Sequence, residues 1–206
     1  MTLTKKIPFW LWWTIGLAAV ASAAALAVWL AVGRGPMLPP GLAEKREQVA
    51  KLLEEASRIE DVDVKPLAAL EAKRDFKGAA ALMESALAAN AEQERLNASL
   101  LTVSNELTRL ALAVEPDEVG ARAVEAFGVL AELAKAEQKF FADRRELYEV
   151  TRGYYADLAV RKKPPIPADL QTLVETVNAD LEIAKGLHRD FAAATKAFDE
   201  ALKARN

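Results

Sequence analysis

The feature that most constrains this chain is an uncharged, apolar run of 24 residues, Phe9–Val32, close to its start. At about 1.5 Å per residue, a helix of this length is roughly 36 Å long, which is enough to cross the roughly 30 Å hydrocarbon core of a bilayer. Pro8 precedes the run and suits the first position of a helix, where an N–H group is not needed. We therefore expect residues 8–32 to form a single transmembrane helix in a lipid bilayer.

The tryptophans and the basic residues around this run indicate its orientation. All four tryptophans of the chain lie near its two ends: Trp10, Trp12, Trp13 and Trp29. Such aromatic side chains favour the membrane–water interface. Lys5 and Lys6 lie before the run, whereas only Arg34 follows it closely. Because positive charge is retained on the cytoplasmic side, we expect residues 1–7 to be a cytoplasmic leader and the rest of the chain to lie outside the cytoplasmic membrane.

A cleavable signal peptide is the alternative interpretation of the same segment. Residues 21–23 (Ala-Ser-Ala) and 23–25 (Ala-Ala-Ala) both resemble small-x-small cleavage sites. The apolar run nevertheless continues to Val32, which a cleaved signal would not require. The pattern therefore favours an uncleaved signal anchor.

The charge of the remaining chain limits its partners. Residues 33–41 (GRGPMLPPG) form a connector rich in glycine and proline, and all 30 acidic residues lie after it. The chain has a formal net charge of −3, and residues 42–206 are more acidic than the whole, because three basic residues precede them. An acidic domain without a basic stripe argues against nucleic-acid binding, which requires neutralisation of phosphates.

Apolar residues at helical spacing indicate that residues 42–206 are all-α. Four helical legs are predicted at 42–74 (broken near residue 62), 76–114, 117–163 and 168–204. The second leg alternates steps of three and four along one apolar seam: Ala79, Leu82, Ala86, Ala89, Gln93, Leu96, Leu100, Val103, Leu107, Leu110 and Val114. Such a seam is typical of coiled-coil-like packing. Short turns between legs of similar length favour an elongated, antiparallel (up-down-up-down) four-helix bundle.

A short helical-repeat array is the alternative architecture. Residues 72–80 (AKRDFKGAA) resemble the turn between helices of a tetratricopeptide repeat. The period of about 34 residues does not recur, and the later helices are longer than such repeats use.

Polar residues interrupt the predicted seams at mid-height. With short turns fixing the antiparallel register, we expect Asn90, Gln93, Glu137 and His188 to form one polar layer in the core. Buried polar residues of this kind can specify which helices pair and in which register. The alternative interpretation is a pocket for a small ligand or for pH sensing, in which His188 gains charge beside Glu137.

The residue types available for chemistry are few. The chain has no cysteine, and His188 is its one histidine, so motifs with two histidines or with thiolate ligands are excluded. No nucleophile in a strained turn accompanies His188. The sequence therefore predicts no catalytic residue, no metal and no cofactor, and we expect a protein that is not an enzyme.

The turn between the last two legs is the predicted partner contact. Arg161, Lys162, Lys163 and Ile166 lie there, at the end of the bundle away from the membrane. We expect a non-catalytic binding or scaffolding module of the cell envelope, with an unidentified protein partner and a possible homodimer. The alternative is a sensor or small-ligand-binding bundle resembling the extracytoplasmic domains of chemoreceptors, which would need a separate signalling partner.

Overall fold

Within residues 38–59, 62–114, 117–160 and 164–205, which the computed structural model describes, the secondary structure is helical, with no strand. Five helices follow one another: α1 (Leu42–Arg58), α2 (Pro66–Ala72), α3 (Phe76–Ala111), α4 (Glu118–Val160) and α5 (Leu170–Arg205). The predicted first leg is therefore two helices, separated by residues 59–65. The prediction of an all-helical bundle is confirmed.

The predicted membrane anchor belongs to the first 37 residues of the chain. Residues 1–37, which include the leader, the 8–32 run and the four tryptophans, lie outside the described part of the chain. No helix among the described residues is both long and apolar enough to span a bilayer.

The helix starts follow the local sequence. α1 begins directly after Gly41, whose φ of 89° lies in the left-handed region that glycine adopts readily. Pro66 occupies the first turn of α2, where its missing N–H is harmless. Asp75 caps α3, because its Oδ1 accepts a hydrogen bond from the Gly78 N–H at 2.9 Å.

Helices α3, α4 and α5 form an antiparallel bundle in which α4 is central. Between α3 and α4, Arg152 pairs with Glu84 and Arg145 with Glu94, so that residue numbers fall on one helix as they rise on the other. Between α4 and α5, Lys139 contacts Asp180. Each interhelical pair shows which residues of neighbouring helices lie at the same height of the bundle.

The two short helices lie at opposite ends of α3. Side chains of α1 belong to the largest apolar cluster, at the end where α3 finishes and α4 begins: Leu42, Val49, Ala50 and Leu53 pack there with residues such as Leu107, Phe127 and Phe198. Leu67 of α2 packs at the other end with Met83, Tyr148 and Tyr155. A third cluster joins α4 to α5 through Phe140, Leu147, Val177 and Leu181. Both ends of the bundle are therefore held by apolar packing.

The buried seam of α3 differs from the predicted one in a single column. Leu82, Ala89, Val103 and Leu110 are only partly buried, and the buried column at the same heights is shifted by one residue: Met83, Asn90, Asn97, Ser104 and Ala111. In α5, in contrast, the apolar residues at helical spacing are largely buried, from Val177 to Leu202.

Candidate functional site

Arg144 is the centre of a buried polar cluster between α3 and α4. Its side chain projects from α4 towards α3, and the residue is only 2% exposed. Its Nε donates a hydrogen bond to Asn90 Oδ1 at 2.5 Å, and a terminal nitrogen donates to Gln93 Oε1. Asn90 Nδ2 in turn donates to the Phe141 carbonyl at 3.0 Å. The guanidinium thus connects two polar residues of α3 to α4.

Aromatic rings of α4 surround the same guanidinium. The Arg144 Cζ lies 4.9 Å from the ring centre of Phe140, 5.1 Å from that of Phe141 and 5.8 Å from that of Tyr148. A cation over an aromatic face is attracted by the ring quadrupole, and burial strengthens this attraction. Stacking and fork-shaped hydrogen bonding are both properties of arginine that lysine lacks.

His188 and Glu137 form a separate pair between α5 and α4. The His188 Nε2 lies 2.8 Å from Glu137 Oε1, and the two side chains remain 10% and 17% exposed. Both groups are therefore partly accessible from solvent, unlike Arg144.

Lys139 connects two aspartates across the same interface. Its Nζ donates to both oxygens of Asp180, at 2.8 and 2.7 Å, and to Asp143 Oδ2 at 2.8 Å. Burial raises the pKa of Asp180, and the neighbouring Asp143 carboxyl raises it further, although Lys139 opposes the shift. The hydrogen bond from Lys139 lowers the pKa of Asp143. The two carboxyls are thus shifted in opposite directions.

A buried ion pair joins α1 to α5 near the other end of the bundle. Arg46 lies 3.1 Å from Asp199 Oδ1, with side-chain exposures of 7% and 4%. The Arg46 guanidinium also lies 5.4 Å from the centre of the Phe198 ring. Burial lowers the pKa of Arg46 and raises the pKa of Asp199, because desolvation of each charge outweighs their mutual attraction.

At the opposite end of the bundle, Tyr155 of α4 makes a polar contact with α2. Its hydroxyl donates to Glu71 Oε1 at 2.7 Å. Burial, followed by this hydrogen bond, raises the pKa of Tyr155 well above its ordinary range. The hydroxyl therefore stays protonated and links α4 to α2.

The predicted polar residues fall into two groups. The structure brings His188 and Glu137 together, while Asn90 and Gln93 accept hydrogen bonds from Arg144. Arg144, which joins Asn90 and Gln93 to α4, is not among the four residues predicted for the layer. A cation flanked by Phe140, Phe141 and Tyr148 in the sequence is the signal that could have identified it.

The predicted partner contact lies partly in the described chain. Arg161, Lys162 and Lys163 fall outside the described residues, whereas Ile166 is 66% exposed. Val160, the last residue of α4, is 79% exposed. Two large aliphatic side chains therefore face solvent on either side of the three basic residues in the sequence.

The described residues contain no group of three or more histidine, cysteine, aspartate or glutamate side chains placed to hold a metal ion. Arg144 and the Lys139 cluster bind helices to one another.

No protein-family model, curated protein or solved structure matches this chain.

Proposed function

We propose that this chain is a single-pass membrane protein that displays a helical binding or scaffolding module outside the cytoplasmic membrane. In this proposal residues 8–32 are the anchor, residues 33–41 are the connector, and α1 and α2 together complete an up-down-up-down four-helix bundle with α3, α4 and α5. The module is non-catalytic and belongs to the cell envelope.

The exposure of Val160 and Ile166 is the observation that carries the binding role. Isolated apolar residues are common on protein surfaces, but here two lie beside three consecutive basic residues. Val160 also lies far from the connector. Helix α4 is roughly 65 Å long, and Val160 is its last residue, at the end of the bundle opposite to Leu42. A partner docking at this turn would meet the bundle at the greatest distance from the connector.

Site-specific crosslinking tests this role, and the absence of cysteine makes it direct. A single cysteine replaces Lys162, is coupled to a photoactivatable maleimide, and is irradiated in native membranes. The matched control replaces Lys196, which lies on α5 near the opposite end and has a side chain 74% exposed. We expect a discrete adduct from position 162 alone. Adducts from position 196 alone, or the same pattern from both positions, would contradict a distal contact.

The His188–Glu137 pair favours a second candidate, a sensor or small-ligand-binding bundle that acts through a signalling partner. The partial exposure of both side chains is the supporting observation. The test is a thermal-unfolding screen of the full-length protein against amino acids, small amines and small carboxylates. A ligand that raises the melting temperature of the wild type but not of His188→Asn would support it. A screen without such a ligand would count against it.

A further inference from the structure

Helix α1 contacts α3 and α5 in different ways. Its backbone lies close to that of α3, whereas its contact with α5 is made mostly by side chains. On the α3 side, Lys45 pairs with Glu106 at a partly exposed position. On the α5 side, the contact combines apolar packing with the buried pair Arg46–Asp199. The attachment to α5 therefore depends on a charge pair in the interior.

Buried ion pairs hold helices together poorly. Removing two charges from water costs several kcal/mol per ion, and their attraction recovers this only when every polar atom is satisfied. Four buried side-chain oxygens lack a hydrogen-bond partner among the described residues, and three of them belong to α1 or to the Arg46-contacting end of α5: Gln48 Oε1, Thr195 Oγ1 and Asp199 Oδ2. Most of the unsatisfied buried polar atoms among the described residues therefore lie on α1 or on the part of α5 that α1 contacts.

α1 and α2 are separate helices. α1 ends at Arg58, and Ile59 has an extended backbone with φ −75° and ψ 110°. The next helix does not begin until Pro66. Displacement of α1 therefore requires no helix to bend, and α2 can stay packed against Met83 and Tyr155.

We propose that α1 undocks from the bundle as a unit and that the buried Arg46–Asp199 pair sets how often it does so. Undocking uncovers apolar side chains of α5, among them Phe198 and Leu202, which are 0% and 8% exposed when α1 is in place. Because the 33–41 connector leads directly into α1, a pull on the connector or a partner bound to it would control this exposure. Undocking of α1 involves the bundle alone and does not depend on which side of a membrane the bundle occupies.

Hydrogen exchange followed by mass spectrometry tests the proposal on the full-length protein in lipid nanodiscs. Amides of α1 should exchange at least about tenfold faster than amides of α4 at equal intrinsic rates, because they open without global unfolding. This measurement needs no variant and so does not depend on any substitution folding correctly. Equal protection of α1 and α4 would overturn the proposal.

A pair of double variants tests the role assigned to the ion pair. Arg46→Met with Asp199→Leu replaces the buried charges by apolar groups of similar size and should slow exchange in α1 by about tenfold, while α4 is unchanged. Lys45→Met with Glu106→Leu is the matched control, because that pair is partly exposed and contributes little. Faster exchange in α1 of the first variant, or equal slowing in both, would refute the role of Arg46–Asp199.

Discussion

Asn97 of α3 donates a hydrogen bond from its Nδ2 to the carbonyl oxygen of Ala134 in α4, over 2.8 Å. Two similar bonds flank it: Asn90 donates to the carbonyl of Phe141, and Thr108 donates to that of Phe127. The three acceptors are spaced by seven residues along α4, so they face α3 on one side of the helix. Polar side chains therefore bind α3 directly to the backbone of α4.

The first prediction concerns the Asn97 bond. Asn97→Ala should lower the free energy of unfolding by about 1–2 kcal/mol, since one hydrogen bond and some packing are lost. Asn97→Asp should lower it by about 3 kcal/mol or more at neutral pH, because a residue that is 4% exposed would become an unpaired anion facing a carbonyl. Urea unfolding of both variants at pH 7 measures the difference. An aspartate variant as stable as the alanine variant would show that this interface is hydrated.

The second prediction compares substitution of Arg144 with substitution of the neighbouring Arg145. Arg144→Lys should destabilise the protein by about 2–4 kcal/mol, because the buried ammonium cannot reproduce the forked hydrogen bonds or the stacking on Phe140 and Phe141. Arg145→Lys is the matched control. Its ion pair with Glu94 is partly exposed, so the change should stay within about 0.5 kcal/mol. Equal destabilisation by the two substitutions in thermal unfolding would contradict the hydrogen bonds and ring contacts described for Arg144.

The third prediction uses glycines inside the long helices. A Cβ added at Gly128, Gly153 or Gly186 would meet no atom within 4 Å. Each change to alanine should therefore stabilise the protein by about 0.5–1 kcal/mol, since alanine loses less conformational freedom in a helix.

Gly78→Ala is the control for that series. A Cβ there would lie 2.5 Å from Asp75 Oδ2 and displace the side chain that caps α3. This variant should show no gain or a loss, because an N-cap contributes about 1 kcal/mol. Stabilisation by Gly78→Ala equal to that of the other three would show that the cap is dispensable.

The fourth prediction concerns pH and the two aspartates beside Lys139. Asp180 has a raised pKa, so the folded state binds its proton more tightly than the unfolded state does. The stability that this proton confers is present at low pH and is lost as the pH rises through the folded pKa. The change in the free energy of unfolding caused by Asp180→Asn, relative to wild type, should therefore be more favourable to the folded state at pH 7 than at pH 4.

Asp143 should show the opposite dependence. Its pKa is lowered by Lys139, so its contribution is present above the ordinary aspartate value of about 3.9 and is lost as the pH falls through the folded pKa. Asp143→Asn should destabilise the protein at pH 7 and lose its effect in strong acid. Unfolding free energies of both variants across this range provide the measurement. Parallel profiles for the two variants would contradict the assignment.

The sequence predicts the helices and their antiparallel order because apolar periodicity and caps are local signals. α5 illustrates this, since its apolar residues at helical spacing, from Val177 to Leu202, are largely buried. In α3 the buried column contains Asn97 and Ser104, which by residue type are typical of a solvated face. The sequence alone therefore favours the neighbouring apolar column, to which Val103 belongs.

The polar contacts are harder to predict than the helices, because they depend on side-chain direction. Helical register brings Glu137 near His188, but it cannot indicate that Arg144 reaches both Asn90 and Gln93. Arg46 and Asp199 are 153 residues apart, and no short turn fixes the register between α1 and α5. Their contact follows only from the three-dimensional packing.

The orientation of the bundle relative to the membrane is the central proposal, and cysteine labelling tests it most directly. Single cysteines at Lys5 and Lys162 are treated with a membrane-impermeant maleimide on intact cells and, separately, after lysis. We expect Cys at position 162 to react on intact cells and Cys at position 5 to react only after lysis. Labelling of position 162 only after lysis would place the bundle in the cytoplasm and contradict the proposed envelope function.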